Sequence, residues 1–452
     1  AILFGCNAKQ NEQNKKPNVI VVFTDDQGYQ DLGCYGSPDI KTPNIDKMAS
    51  EGIRYTDFYV ASSVCSPSRA ALLTGKIPKN SGVPFVYFQD QPGMKPEQVT
   101  LAEVLKTANY RTACFGKWHL GDQKGNLPTD QGFDEYYGIP YSNDMSIGST
   151  HEFAEHVTFN DGYTLKKAKE DQLLVKQDRE KGKKPWEQGK RNIVPVFEGD
   201  KIVEYPAEQG TLTQRYFDKT IDFIEKDNEK PFFVYVTPAM PHIPLYASEQ
   251  FEGKSENGLY GDVIEEIDYY MGKLLNYLKD ADLDKNTLVI YASDNGPWLQ
   301  FKDHAGSALP LRDGKMSNYE GGVRVPGIFW FPGHINEPLV SNNVSSTTDI
   351  LPTVAALADI DISNIAIDGK ILPELVKSAE AKQQYIYSSG PDVWGVRKGD
   401  WKYLRHSGKK WAGKNTDPEL YNLKEDISEQ NNLLELNPEK VEELTKFLNE
   451  YD

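Results

Sequence analysis

Asn18-Val19-Ile20-Val21-Val22-Phe23-Thr24-Asp25-Asp26 is the stretch on which the fold turns. From Asn18 to Thr24 the run is almost wholly apolar and β-branched, with Pro17 before it and two acids after it. A half-exposed strand would alternate polar and apolar residues, so an unbroken run predicts a strand covered on both faces. Further along, Thr42-Pro43 predicts an N-cap and first-turn proline for a helix that places Ile45, Met48 and Ala49 on one face and stops at Gly52. Strand-like runs recur at residues 111–115, 231–237, 287–293 and 325–331, with helical patterns at 213–229, 263–278 and 348–358. Strands alternating with helices predict an α/β fold, a mostly parallel central sheet flanked by helices. In such sheets ligands sit beyond the carboxyl ends of the strands, where Asp25 and Asp26 fall.

The chain has 452 residues, with 50 Lys plus Arg against 67 Asp plus Glu, a formal charge of −17 that argues against nucleic acid as a partner. Its 25 Tyr hint at carbohydrate contact. No stretch reaches the 18 or so apolar residues of a membrane span. Three regions are expected: a polar tether over 1–16, a catalytic α/β body over 17–370, and a smaller C-terminal unit over 371–452 built of an antiparallel sheet and one helix. Asn437 is read as the N-cap of that closing helix, with Val441, Leu444, Leu448 and Tyr451 as its apolar stripe. Inside the body, residues 166–191 hold ten basic side chains against five acidic ones, read as a surface insertion that is either merely solvated or attracts a polyanion. Leu3-Phe4-Gly5-Cys6 resembles the end of a bacterial lipoprotein signal peptide, implying a lipid anchor at Cys6 and export to the periplasm or cell surface. The other cysteines are Cys34, Cys65 and Cys114, too few for a disulfide-built scaffold. Cys34 and Cys114 are expected to be free thiols.

Four clusters near expected strand ends or turns carry chemistry: Asp25-Asp26, Lys117-Trp118-His119, Pro241-His242 and Asp294-Asn295. Singly, each reads as a cap or a satisfied histidine. Taken together, Asp25, Asp26, Asp294 and Asn295 are hard oxygen donors that suit Ca2+ or Mg2+ and not zinc. A fifth cluster is more specific: Cys65-Ser66-Pro67-Ser68-Arg69 followed by Leu73-Thr74-Gly75. With Gly116-Lys117-Trp118-His119-Leu120-Gly121, Ser293-Asp294-Asn295-Gly296, Gly314-Lys315 and Tyr319-Glu320-Gly321-Gly322 in that order, the chain resembles the type I sulfatases, the formylglycine-dependent branch of the alkaline phosphatase superfamily. The resemblance reaches the tail at Glu419-Leu420-Tyr421-Asn422-Leu423.

That resemblance implies an alkaline phosphatase-like sheet and a sulfuric ester hydrolase acting on a sulfated carbohydrate, with algal ulvan ahead of carrageenan and glycosaminoglycans. It implies that a formylglycine-generating maturation enzyme converts Cys65 to formylglycine (3-oxoalanine), whose hydrate is the nucleophile. It assigns Asp25, Asp26, Asp294, Asn295 and the modified Cys65 to a divalent cation, Ca2+ before Mg2+. Arg69, Lys117 and Lys315 become a cationic clamp, Asp294 and His119 bases, and His242 with Lys315 the proton source for the leaving oxygen. Ser142, His151, Trp298, Asp303, His304 and Arg312 stand as candidates for sugar contact, each with a structural role equally open. Two alternatives remain: a phosphonate or phosphate monoester hydrolase of the same superfamily, and a glycan-binding lipoprotein without catalysis.

Overall fold

Thr287–Ser293 and Phe232–Thr237 flank the Asn18–Thr24 strand, both parallel to it, in a computed structural model that describes residues 16–451 apart from 228, 391 and 407–416. Apart from Lys16, the expected tether, Cys6 included, lies outside the described residues. Arg111–Gly116 and Glu135–Gly138 continue the parallel set. These strands belong to an 11-stranded sheet that ends at Leu339–Ser341 on one side and Phe153–Phe159 on the other. Gly327–Trp330, foreseen only as a strand, runs antiparallel to Thr287–Ser293. A run of apolar residues carries no information on direction.

The central strand is wholly buried, as its composition demands. Val19, Val21 and Phe23 point into one core and Ile20 and Val22 into the other, the period-2 alternation of a strand with both faces covered. The first core is closed by the helices Cys65–Thr74, Leu101–Lys106 and Ile350–Leu357. On the other face lie Pro43–Glu51, Leu212–Glu225 and Gly258–Asp280. The fold is therefore a mostly parallel α/β sheet between two helical layers.

Two expected caps are corrected. Thr42 precedes the Pro43–Glu51 helix, but its hydroxyl caps nothing there: it accepts from the Gly33 N–H at 2.8 Å and donates to Asp46 at 3.0 Å. The helix start is held instead by Asp268 of the long helix opposite, whose Oδ1 accepts the N–H groups of Asn44 at 3.0 Å and Ile45 at 2.8 Å. Asn437 likewise makes no side-chain cap to the Pro438–Leu448 helix; its Nδ2 donates back to the Leu433 carbonyl.

At the C-terminal end, Gln384–Ser389, Asp392–Lys398, Trp401–Leu404 and Glu419–Asn422 form a four-stranded antiparallel sheet. Leu444 and Leu448 of the closing helix pack on Val396, Tyr403 and Leu420 in a small core of their own, with Val441 and Tyr451 at its margin. Among the described residues no helix is long and apolar enough to cross a membrane.

Candidate active site

Asp25 and Asp26 follow the central strand directly, and Asp294 and Asn295 follow its parallel neighbour Thr287–Ser293, in register through Thr24 and Ser293. Register alone thus brings four oxygen-bearing side chains to one point. Asp26 turns toward that point with a left-handed backbone, φ 63°, a conformation that costs a non-glycine residue about 1–3 kcal/mol and persists only where the surroundings impose it. Cys65 opens the Cys65–Thr74 helix beneath them, and Arg69 lies one turn further along the same face. All of these side chains are buried.

The acids are matched by cations. Lys117 pairs with Asp25, Arg69 with Asp294 at 2.8 Å, and Lys315 with Asp26 at 2.6 Å. The Cys65 thiol donates to Asp25 Oδ1 at 3.4 Å, and the Lys315 ammonium reaches its sulfur at 3.5 Å. Arg69 is further fixed by donating to the Lys117 carbonyl at 2.8 Å and by lying over the Phe23 ring.

Burial sets the protonation states. It would raise Asp25, but Lys117, His242 and Arg69 outweigh it and hold that carboxyl well below the usual range. Asp294 goes the other way: burial and the neighbouring Asp25 push it up to about 7 against Arg69 and Lys117. Burial, then Asp25 and Asp294, push the Cys65 thiol well up, so the unmodified residue is neutral and a poor nucleophile. Lys315 is held above its usual range because Asp26 and Asp25 outweigh its desolvation.

The two histidines differ in which nitrogen is free. His119, with φ 60°, has Nε2 2.9 Å from the Tyr87 carbonyl, which only accepts, so Nε2 carries the hydrogen. Its Nδ1 is buried without a partner, and burial, then Lys117 and Arg69, depress its pKa well below the usual range. His119 is therefore a neutral imidazole with a free lone pair. His242 donates Nδ1–H to the Ile243 carbonyl, leaving Nε2 at 3.7 Å from Asp26. Burial and Lys315 lower its pKa against Asp26 and Asp25.

Ser142 sits inside this group: its hydroxyl lies 3.3 Å from the His242 ring nitrogens and accepts from Lys117 at 3.3 Å. Trp298, half-buried, lies over Lys315 with the ammonium 4.5 Å from its ring centroid, and its ring is 5.6 Å from that of His242. Asp303 and His304 are exposed on the Leu299–His304 turn that follows. At two of the candidates the geometry supplies the structural role that the sequence left open. His151 is buried with both ring nitrogens engaged, Nδ1 accepting from the Gly148 N–H and Nε2 on Asp122 at 2.9 Å, so it is not presented to a sugar. Arg312 lies over the Tyr319 ring, 3.7 Å to the centroid, and donates to Tyr421 and to the Glu429 carbonyl, tying the C-terminal sheet to the body. The Tyr87 carbonyl, which fixes the His119 tautomer, has no signature in sequence because any residue supplies a carbonyl.

The residues present fit a hard divalent cation. Ligand atoms of Asp25, Asp26, Asp294 and Cys65 lie within 4.8 Å of one another. Asn295 Oδ1 is buried beside them with no hydrogen-bond partner, while its Nδ2 donates to Asp26 at 2.7 Å. An orphaned buried acceptor calls for a partner such as an ion or a water, and this one lies among the carboxylates.

Comparison with known proteins places this geometry in a class. The family model for sulfatases matches residues 17–360. The chain is 36% identical to human arylsulfatase A over 450 residues, covering 93% of this chain and 84% of that protein. To human N-acetylgalactosamine-6-sulfatase it is 33% identical, covering 85% of this chain and 71% of that one. The crystal structure of Ps i-CgsB in complex with k-i-k-neocarrahexaose superposes with a TM-score of 0.77 at 30% identity, over 97% of this chain and 93% of that one. The PsFucS1 sulfatase from Pseudoalteromonas sp. gives 0.79 at 28% identity, over 98% and 91%. An alkaline phosphatase-like sheet ending in acids and a buried cysteine defines a class of ester hydrolases. Within it, the chain belongs to the sulfatase family, as a type I sulfatase and so a sulfuric ester hydrolase.

Proposed function

We propose that the chain removes sulfate from a sulfated carbohydrate, using formylglycine made from Cys65 by a maturation enzyme and a divalent cation, Ca2+ before Mg2+. The observation that carries this is the buried cluster itself: three carboxylates and the orphaned Asn295 oxygen converging on Cys65, ringed by Arg69, Lys117 and Lys315. Relatives named for carbohydrate sulfates support the substrate class. Asp25, Asp26, Asp294 and Asn295 would hold the cation, which neutralises charge on a sulfate oxygen, while formylglycine supplies the nucleophile.

The chain's own groups then have separate tasks. Arg69, Lys117 and Lys315 bring positive charge into a buried site, where each stabilises the sulfuryl oxygens strongly. Lys315, beside His242, is placed to supply the proton to the departing sugar oxygen, and the His242 Nε2 faces the same space. On the other side, the free Nδ1 of His119 is the base that accompanies sulfate release. Ser142 holds Lys117 and His242 in register, and the half-exposed Trp298 ring offers a face to the leaving sugar.

The test is sulfate release by the matured protein from defined ulvan, carrageenan and glycosaminoglycan oligosaccharides, with the desulfated product measured alongside. Activity should vanish in Cys65→Ala and on removal of divalent cations with a chelator, and return with Ca2+. Efficient turnover of phosphate or phosphonate esters with no sulfate release from any of these substrates overturns the assignment. Export on a lipid at Cys6 belongs to the same proposal; labelling with a fatty-acid analogue, lost in Cys6→Ala, checks it.

A further inference from the structure

The basic island at 166–191 is not used by the catalytic cluster, and the structure sorts its charges. Arg179 pairs with Asp90, Lys183 with Asp178, Lys190 with Asp171 and Arg191 with Asp144. Arg179 and Arg191 fasten the end of the Leu165–Glu180 helix and the segment after it to the loops that hold Asp90 and Asp144, while Lys183 and Lys190 pair back onto the helix itself. Six of the ten basic residues are in no ion pair among the described residues, and of these the exposed Lys181 and Lys184 lie nearest Trp186 in sequence. Just after Lys184, the indole of Trp186 is 51% exposed. Its ring lies 5.9 Å from that of Phe88, tilted by 51°.

Phe88 stands next to the catalytic machinery. Tyr87 donates its N–H to Ser66 Oγ at 3.1 Å, one residue from Cys65, and its carbonyl takes the His119 hydrogen. Gln89 Nε2 donates to the Pro185 carbonyl at 3.1 Å, and Asp90 takes Arg179. Four consecutive residues, Tyr87 to Asp90, therefore bridge the catalytic floor to the island, and adjacent Cα atoms are only about 3.8 Å apart. An exposed indole that a second aromatic ring only partly covers, with unpaired lysines close by in sequence, is a combination suited to a ring with one apolar face and an anionic substituent.

We propose that Trp186 and Phe88 form a second glycan subsite, which stacks a neighbouring sugar of the same substrate chain while Lys181 and Lys184 bind its sulfate. The occupant follows from continuity with the catalytic centre and from charge: in a chain of net charge −17, this segment holds ten cations against five acids. The proposal rests on the carbohydrate-sulfatase reading above and makes the enzyme one that prefers oligosaccharides to single sulfated sugars.

The test compares a disaccharide with a hexasaccharide of the same series, taken from ulvan, carrageenan and glycosaminoglycan sets. In Trp186→Ala, KM for the hexasaccharide should rise at least fivefold with kcat unchanged and the disaccharide unaffected; Trp186→Phe should restore most of the loss. Lys181→Gln with Lys184→Gln should raise the hexasaccharide KM and flatten its salt dependence. A second arm needs no turnover: the same hexasaccharides titrated onto Cys65→Ala protein should quench Trp fluorescence, and Trp186→Ala should remove the part of that quench that the disaccharide, which reaches only Trp298, does not produce. Equal effects on both substrate lengths, or none, with no Trp186-dependent quench, overturn the subsite. Loss of hydrolysis of every substrate with the quench intact would instead overturn the catalytic reading alone.

Discussion

His119 shows how much a single proton position decides. Its Nε2–H is committed to the Tyr87 carbonyl, and its depressed pKa keeps the ring neutral, so Nδ1 alone does proton work. A positioned base of this kind is worth about 10²–10⁴ in rate. His119→Ala is therefore expected to lower steady-state sulfate release by about that factor. Because the base acts at sulfate release, rapid-quench measurements should show one equivalent of desulfated sugar formed ahead of free sulfate; equal slowing of both products from the first turnover would remove His119 from that role. At this scale the catalytic set was legible because charged groups at strand ends carry identity in their side chains. Sequence left a sugar contact and a structural role equally open at His151 and Arg312, because their partners Asp122 and Tyr319 lie beside them only after folding.

Among the elements, the Pro43–Glu51 helix depends on a residue more than two hundred positions away. Burial raises Asp268 to about 6 despite the N–H groups of Asn44 and Ile45 that it accepts. The folded-state value lies above the ordinary 3.8, so the folded state binds the proton more tightly. The group's contribution to stability is then full below that ordinary value and is lost as pH rises through about 6. Asp268→Asn removes this dependence: the Tm of the variant relative to the parent should rise between pH 4 and pH 7.5, and a constant difference would exclude it. A second element-level constraint is Gly296, where an added Cβ would sit 1.8 Å from the Gly321 carbonyl oxygen. Backbone cannot yield there, so Gly296→Ala should destabilise by about 1–3 kcal/mol, read from the denaturation midpoint. It should also cut activity by displacing Asn295. Strand and helix positions were readable because periodicity is local; the Asp268 cap and the antiparallel course of Gly327–Trp330 were not, because both are tertiary.

For the whole molecule, the C-terminal sheet is joined to the catalytic body by buried charge. Lys402 reaches Glu320 at 3.0 Å, Glu429 at 2.7 Å and the Asn318 carbonyl at 2.8 Å, and all three charged side chains are fully buried. Burial pushes Glu429 up to about 7 against Lys402, whereas Lys402, Arg324 and Arg397 overcome burial to hold Glu320 down at about 2. Glu320 also follows Tyr319 directly in the segment that closes against Gly314, next to Lys315: Gly321 N–H donates to the Arg312 carbonyl at 2.8 Å and Ser317 N–H to the Gly314 carbonyl at 3.1 Å. The C-terminal sheet thus braces the segment that carries Lys315. Removing one partner of a buried pair typically costs about 3–5 kcal/mol, whereas replacing a whole buried charge set with neutral groups of similar volume is often tolerated. Lys402→Met is accordingly expected to lose about that much stability in denaturant unfolding and to lower kcat with little change in KM. Adding Glu429→Gln to Lys402→Met should recover most of the stability, because Glu320 and Asp57 still balance the buried Arg324 and Arg397 and no uncompensated charge is left. If the single variant is as stable as the parent, the charge network does not join the two parts. If the double variant regains stability but not kcat, the network's task is to place Lys315, and the C-terminal sheet is part of the catalytic apparatus.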